Sequence, residues 1–348
     1  MEKYVAYVSS YTYGDKHGIR IFDVDTEKGR FTEKGQIDIS NSSYISISHN
    51  NKVLYAITDM GVESYKILPD GNLEYMNESM INGMRGCYIS TDYNDRFLFV
   101  AGYHDGKITV LKLNDDGSVG AICEEIFHRG LGNITERNYR PHVNCVKMTR
   151  DNKFLCAADL GMDHVNIYEL DESTGKLKLV DVIRCEQESA PRHLKFSENG
   201  EYCYIVHEIK NYIDMYRYRC EDGNPFFDFV ERFATVDEYH SKNSISTTIK
   251  LSQDSKYMVS SSAGNNNVII YKILEDYKLE RILCLPVSGD YPKDAGLFPD
   301  NKFLVSLNHE SDTMTFFKVD LEAGTIILNG GPLLIEKPNC IIFHKLSE

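Results

Sequence analysis

Short alternations of apolar and polar residues run along the whole chain, and one compound segment recurs: a short alternating run, a polar turn carrying Asp, Asn or Gly, a Lys or Arg, then an aromatic or apolar run that ends in small or polar residues. A hydrophobic period of two belongs to half-buried strands, whose side chains alternate between faces. The instances are Ser48-His-Asn-Asn-Lys-Val-Leu-Tyr-Ala-Ile, Asp92-Tyr-Asn-Asp-Arg-Phe-Leu-Phe-Val-Ala, Thr149-Arg-Asp-Asn-Lys-Phe-Leu-Cys-Ala-Ala, Ser197-Glu-Asn-Gly-Glu-Tyr-Cys-Tyr-Ile-Val, Ser252-Gln-Asp-Ser-Lys-Tyr-Met-Val-Ser-Ser and Phe298-Pro-Asp-Asn-Lys-Phe-Leu-Val-Ser-Leu. Each predicts two strands joined by a tight turn.

The residue after the turn serves as a register mark: Lys52, Arg96, Lys153, Glu201, Lys256 and Lys302, spaced 44 to 57 residues apart. That is the length of a four-stranded blade, and six blades are so marked. The N-terminal Lys3-Tyr-Val-Ala-Tyr-Val-Ser matches the second strand of the motif, and the C-terminal Lys337-Pro-Asn-Cys-Ile-Ile-Phe-His matches the first. A seventh blade is therefore assembled from both termini, which closes the ring and removes the open sheet edge. The expected architecture is all-β: one domain over 1–348, a seven-bladed β-propeller of four-stranded antiparallel blades.

The remaining strands fit. Gly18-Ile-Arg-Ile-Phe-Asp-Val, Lys107-Ile-Thr-Val-Leu-Lys-Leu, His164-Val-Asn-Ile-Tyr-Glu-Leu and Asn267-Val-Ile-Ile-Tyr-Lys-Ile read as third strands, while Pro69-Asp-Gly, Asp115-Asp-Gly, Ser173-Thr-Gly and Glu322-Ala-Gly read as hairpin turns before a fourth. Helix is nearly absent from this reading. His104 and Asp105, and the segment from Asp237 to His240, fall in expected loops.

Composition narrows the function classes. Hydrophobic residues are 42% and charged residues 26% of the chain, enough for a large core without low complexity. A formal net charge of −14 argues against nucleic acid and acidic membranes, because phosphate binding needs a basic face. A small anionic substrate remains possible, since it feels the groups around it more than the total. Nine cysteines with no CxxC pair read as reduced thiols, and no leader or apolar run of ~20 residues is seen, so a cytoplasmic protein is expected. A monomer or weak homo-oligomer is expected, with no cofactor.

In a propeller the functional residues should recur at a fixed register around the central axis. Nine residues before the marks lie Ser43, Cys87, Asn144, Arg192, Thr247 and Lys293, with Asn339 as the counterpart in the closing blade. A second polar column, at the end of the second strand, reads Ser9, Thr58, Gly102, Asp159, His207, Ser262 and Asn308, followed by Asp59, Tyr103, Glu208 and His309 at the next position. The competing reading for any single member is structural, since buried polar groups must be hydrogen-bonded. Asp159, His207 and Asn308 share a register that could hold an ion, but no spaced ligand motif accompanies them and no metal is expected.

Arg140-Pro-His-Val-Asn, Ala158-Asp-Leu-Gly-Met-Asp-His-Val, Ala190-Pro-Arg-His-Leu-Lys-Phe, the Glu208 after Ile205-Val-His, Pro292-Lys-Asp and Pro338-Asn-Cys-Ile-Ile-Phe carry a resemblance over nearly the whole chain. The chain resembles the bacterial lactonase family of seven-bladed propellers, which includes the propeller-type 6-phosphogluconolactonases and, more distantly, the fungal carboxymuconate-lactonizing enzyme. The resemblance implies a catalytic group of His142, Arg192 and Glu208, with His193 and Lys293 supporting; the polar columns add Asn144, Asp159, His207 and Asn308 as candidates on the substrate. Ring opening needs a base for water, which His or Glu could be, and cations for the anion and the developing oxyanion. The chain departs from the family's pattern at Asn144, where a second histidine is common, at Thr248 in place of glutamate, at Lys293 and Ala263 in place of arginines, and at Gly102 in place of asparagine.

Three readings stay open at this level. The first is hydrolysis of a small anionic sugar lactone, such as 6-phosphogluconolactone. The second is a lactonizing or isomerising reaction on another substrate, and the third is a propeller that binds a ligand or partner without catalysis.

Overall fold

The computed structural model describes residues 2–12, 17–132, 139–236 and 244–347, so the Asp237 to His240 segment lies outside the described residues. Among these the chain is all strand, with no helix. Seven sheets result among the described residues, the blades of a seven-bladed β-propeller; six have four strands, and one gains a fifth, the short Leu333–Leu334. Blade 1 comprises Ile45–Ile47, Val53–Ile57, Gly61–Ile67 and Leu73–Met80, and blade 2 Tyr88–Thr91, Phe97–Gly102, Lys107–Leu113 and Val119–Phe127. Blade 3 comprises Val143–Met148, Phe154–Asp159, His164–Leu170 and Leu177–Arg184, and blade 4 Pro191–Phe196, Tyr202–His207, Tyr212–Glu221 and Asn224–Ala234. Blade 5 comprises Ile245–Leu251, Tyr257–Ala263, Asn267–Ile273 and Leu279–Pro286, and blade 6 Pro292–Leu297, Phe303–Asn308, Thr313–Asp320 and Thr325–Leu328. Blade 7 is the shared one: the C-terminal Pro338–Lys345 pairs antiparallel with the N-terminal Tyr4–Ser10, followed by Ile19–Asp25 and Arg30–Ile37.

The contacts cluster into two compact units, one holding blades 1 to 4 and the other blades 5 to 7. Within the first, Phe99, Val146, Leu155, Ile167 and Ile205 belong to one buried cluster and Tyr55, Leu98 and Leu111 to another. Within the second, Phe22, Phe31, Phe298 and Phe316 stack about one another, with Phe31 and Phe298 centroids 5.3 Å apart. Offset and edge-on packing of this kind adds to the stabilisation from burial alone.

The recurrent turn has a single physical basis. The residue just before each register mark sits in the left-handed region: Asn51, Asp95, Asn152, Gly200, Ser255 and Asn301 have φ between 52° and 78°. Asn, Asp and Gly tolerate this conformation best. The first residue of the motif then caps the turn, as Ser48 Oγ accepts Val53 N–H, Asp92 Oδ1 accepts Arg96 and Phe97 N–H, and Ser197 Oγ accepts Tyr202 N–H. The left-handed side chain also ties its blade to the preceding one, Asp95 taking the N–H groups of His49 and Asn50 and Asn152 that of Tyr93. The Gly-bearing hairpin turns behave as read, with Gly71, Gly117, Gly175 and Gly324 all at positive φ.

Candidate active site

The first polar column coincides with a β-bulge. In blade 3 Val143 pairs with Asp159 and Cys145 with Ala158, which leaves Asn144 as the extra residue; in blade 4 Arg192 is skipped in the same way between Pro191 and His193. Thr247, Lys293 and Asn339 are the skipped residues of blades 5, 6 and 7. A bulge bends the strand and re-aims one side chain out of the ladder, a common device beside active sites.

In blades 3 and 4 the bulge residues meet chemistry. Arg192, whose side chain is 14% exposed, pairs through Nη1 with Oε2 of Glu208, which is fully buried at the end of the neighbouring strand. Glu208 is placed by its own N–H, which donates to Ala190 O at 2.8 Å. The amide of Asn144 makes no hydrogen bond with the described residues. Cys87 joins the pieces: its Sγ lies 3.4 Å from Val143 O and 3.6 Å from Asn144 O. Burial pushes this thiol up to about 12, against the opposing charge of Arg192.

His142 immediately precedes the blade 3 bulge and is 3% exposed. Its Nδ1 lies 2.7 Å from Tyr103 O, and a carbonyl only accepts, so Nδ1 carries the proton and Nε2 keeps the lone pair. The ring stacks on Tyr103 with centroids 4.3 Å apart, and burial lowers its pKa below the ordinary value. At neutral pH His142 is therefore an unprotonated imidazole with a basic Nε2. Two glycines fix its segment: a Cβ at Gly161 would fall 1.7 Å from Arg140 O, and one at Gly106, with φ +62°, would fall 2.7 Å from Pro141 Cβ.

The second column has a different role. Asp159 Oδ1 accepts the N–H groups of His142, Gly161 and Met162, so it caps a turn; Thr58 does the same for Met60 and Gly61. His207 is fully buried, with Nδ1 3.0 Å from Ser189 Oγ and Nε2 3.4 Å from Asp214 Oδ2. Desolvation drops its pKa to about 3. Asn308 is fully buried in blade 6, accepting from Ser306 and donating to Thr313 and Thr315. Protein groups thus engage both oxygens of Asp159, one of them through His128, and the amide of Asn308, whereas the buried Nε2 of His207 has no hydrogen-bond partner among the described residues.

His193, next to the bulge, is turned into the packing against Tyr88 and Tyr44, with ring centroids 5.2 and 6.1 Å away. It supports the first strand of blade 4 and does not accompany Arg192 outward. In blades 5 to 7, Thr247 donates to Pro292 O, and Lys293 Nζ lies 4.3 Å above the Tyr11 ring. Asn339 is 4% exposed, and neither atom of its amide has a hydrogen-bond partner among the described residues. His309 packs edge-on to Tyr11, and burial, aided by Lys293, lowers its pKa to about 4. Tyr103 and Cys87 entered the columns without an assigned role, and His128 was not singled out at all.

The chain matches the family described as lactonase, 7-bladed β-propeller, over residues 5–343. It is 29% identical to the 6-phosphogluconolactonase of Bacillus subtilis over 99% of both chains, and 30% identical to an uncharacterised Staphylococcus saprophyticus protein over 92% of this chain and 93% of that one. Among solved structures, a proposed 6-phosphogluconolactonase of Bacteroides fragilis superposes with TM-score 0.87 at 25% identity, covering 99% of this chain and 98% of that one. A periplasmic gluconolactonase of Pseudomonas aeruginosa shares the fold with TM-score 0.90 at 22% identity, over 99% and 100% of the two chains.

Proposed function

The chain belongs to the seven-bladed β-propeller lactonase family, and on that footing we propose that it hydrolyses a small anionic sugar lactone, with 6-phosphogluconolactone as the first candidate. The observation that carries the reading is the blade 3 to blade 4 constellation: an unprotonated His142 with a basic Nε2, and an Arg192 presented by a bulge and oriented by Glu208.

In this mechanism His142 Nε2 takes a proton from water, and the resulting hydroxide adds to the lactone carbonyl carbon. The oxygen charge that develops is met by the Arg192 guanidinium, a planar donor suited to oxyanions and to carboxylate or phosphate. The tetrahedral species collapses with cleavage of the ring C–O bond, and the imidazolium returns its proton to the leaving alkoxide. Glu208, already engaged by Arg192, orients that cation; its ion pair makes it a poorer base than His142. Asn144 supplies amide donors where the family commonly has a second histidine, so a single imidazole carries the proton transfers.

The test is proton release on fresh 6-phosphogluconolactone and a panel of unphosphorylated aldonolactones, corrected for spontaneous opening. Acceleration that Arg192→Ala and His142→Gln both abolish supports the reading. No acceleration on any lactone, with ligand binding retained, points instead to a binding propeller.

A further inference from the structure

We propose that His128, Asp159 and His164 form a binding site for a single divalent transition metal ion of the zinc class, held by two imidazoles and one carboxylate. The ligand atoms these three residues offer lie within 4.8 Å of one another. They come from three elements of the same unit: His128 just beyond the last strand of blade 2, Asp159 at the end of the second strand of blade 3, and His164 at the start of the third, directly opposite Asp159 in the ladder. His128 Nδ1 already stands 2.7 Å from Asp159 Oδ2, and the two imidazole centroids are 6.4 Å apart.

Charge and satisfaction favour a cation here. Asp159 is fully buried, and among the described residues no Lys or Arg pairs with it. Its Oδ1 is saturated by three backbone N–H groups, which leaves Oδ2 directed at the imidazoles. His164 makes no hydrogen bond with the described residues, although it is partly buried beside that carboxylate. A buried carboxylate is costly without a compensating positive charge, and a metal ion supplies one.

The outer partners suit ligation. His128 Nε2 meets Tyr168 Oη at 3.0 Å and Asn166 Nδ2 at 3.3 Å; both contacts orient the ring, and the Tyr168 oxygen can accept the Nε2 proton when Nδ1 binds metal. Two histidines and one carboxylate are the three-ligand donor type of Zn²⁺ sites that keep a water as fourth ligand. Arg184 faces His164 across the ladder and Asp163 adjoins it, so the local charge does not oppose a dication. The site also touches the proposed catalytic residue, since Asp159 Oδ1 holds the His142 N–H at 2.8 Å.

The experiment uses the full chain, stripped with chelator and dialysed, then titrated with Zn²⁺ alone and with Co²⁺ alone. The expected result is one equivalent of Co²⁺ giving visible ligand-field bands without a near-ultraviolet thiolate band, which excludes the nine free cysteines as ligands. His164→Ala leaves the His128–Asp159 hydrogen bond in place and should fold, yet weaken the metal at least about 100-fold. His128→Asn should do the same. Absence of stoichiometric binding, a thiolate band, or affinity unchanged in His164→Ala overturns the proposal, whatever the lactone assay shows.

Discussion

In blade 4 two cationic-type side chains stand on neighbouring strands and meet opposite fates: Arg192, at the bulge, is re-aimed onto Glu208 and keeps contact with solvent, whereas His207, at the strand end, is shut between Ser189 and Asp214. Both positions looked alike as polar columns in the sequence. The difference lies in the ladder. A bulge residue is excused from pairing and can serve a ligand, while a strand-end residue stays against the turn that follows it, as Asp159 does on three backbone N–H groups and His207 does with Nδ1 on the Ser189 hydroxyl.

The largest effect that can break this comparison is at Arg192 and His142. Arg192→Ala should cut kcat/KM by about 100- to 1,000-fold, the usual loss for one oxyanion donor. It should also cost about 3–5 kcal/mol, because it removes one partner of a buried ion pair. Arg192→Ala combined with Glu208→Gln should recover part of the stability in urea unfolding and none of the activity. His142→Gln should lose about 10²–10⁴-fold, as general bases do. Since His142 acts unprotonated and burial lowers its pKa, the acid limb of the kcat/KM profile should fall below pH 6.5. An acid limb above that value removes His142 from the role of base.

Next in size is a pH effect on the strand-end side. His207 is neutral when folded, with its pKa lowered to about 3, whereas in the unfolded chain it protonates near ~6.5. As pH drops below ~6.5 the unfolded state takes the proton first, so stability is lost, by up to about 1.4 kcal/mol per pH unit, until the folded group titrates near about 3. His207→Asn should flatten the slope of unfolding free energy against pH between 4 and 6.5 by roughly one proton's share. An unchanged slope would mean that the imaging of His207 as a sealed group is wrong.

Smaller again is Asn308→Ala, which leaves the hydroxyls of Ser306, Thr313 and Thr315 without their shared amide. A loss of about 1–3 kcal/mol is expected from that broken buried network, with kcat/KM changed by less than about twofold. A tenfold fall in kcat/KM at unchanged stability would return Asn308 to the ligand.

Nearly all of the fold was legible because its turns are chemically marked. Ser48, Asp92 or Ser197 caps the turn, Asn51, Asp95 or Gly200 takes the left-handed residue, and an aromatic follows, so the register could be counted along the chain. The bulges could not be read this way, because an extra residue is defined by the partner strand and leaves no change in local pattern. The column holding Arg192 and Asn144 was visible, but not the reason it is re-aimed. The roles of Asp159 and His207 could not be read from their column for a related reason: a polar strand end looks the same whether it faces a ligand or caps a turn. His128 meets Asp159 from 31 residues away at an unrelated register, so no motif could announce the pair.

The smallest effect expected is at Asn144, and it is the most discriminating for the bulge. Its amide has no hydrogen bond to lose among the described residues, and it lies outside the ladder pairing of blade 3. Asn144→Ala should therefore change stability by less than about 1 kcal/mol, since no hydrogen bond is broken and little volume is removed. Asn144→His, which restores the residue common in the family, puts a larger ring at a position only 5% exposed and is expected to cost about 1–3 kcal/mol in packing, but if the bulge aims the side chain at substrate the new imidazole adds a second ionisation to the kcat/KM profile. A loss of about 2 kcal/mol or more in Asn144→Ala, of the size predicted for Asn308→Ala, would show that bulge and strand-end positions are both structural and would leave Arg192 as an isolated case.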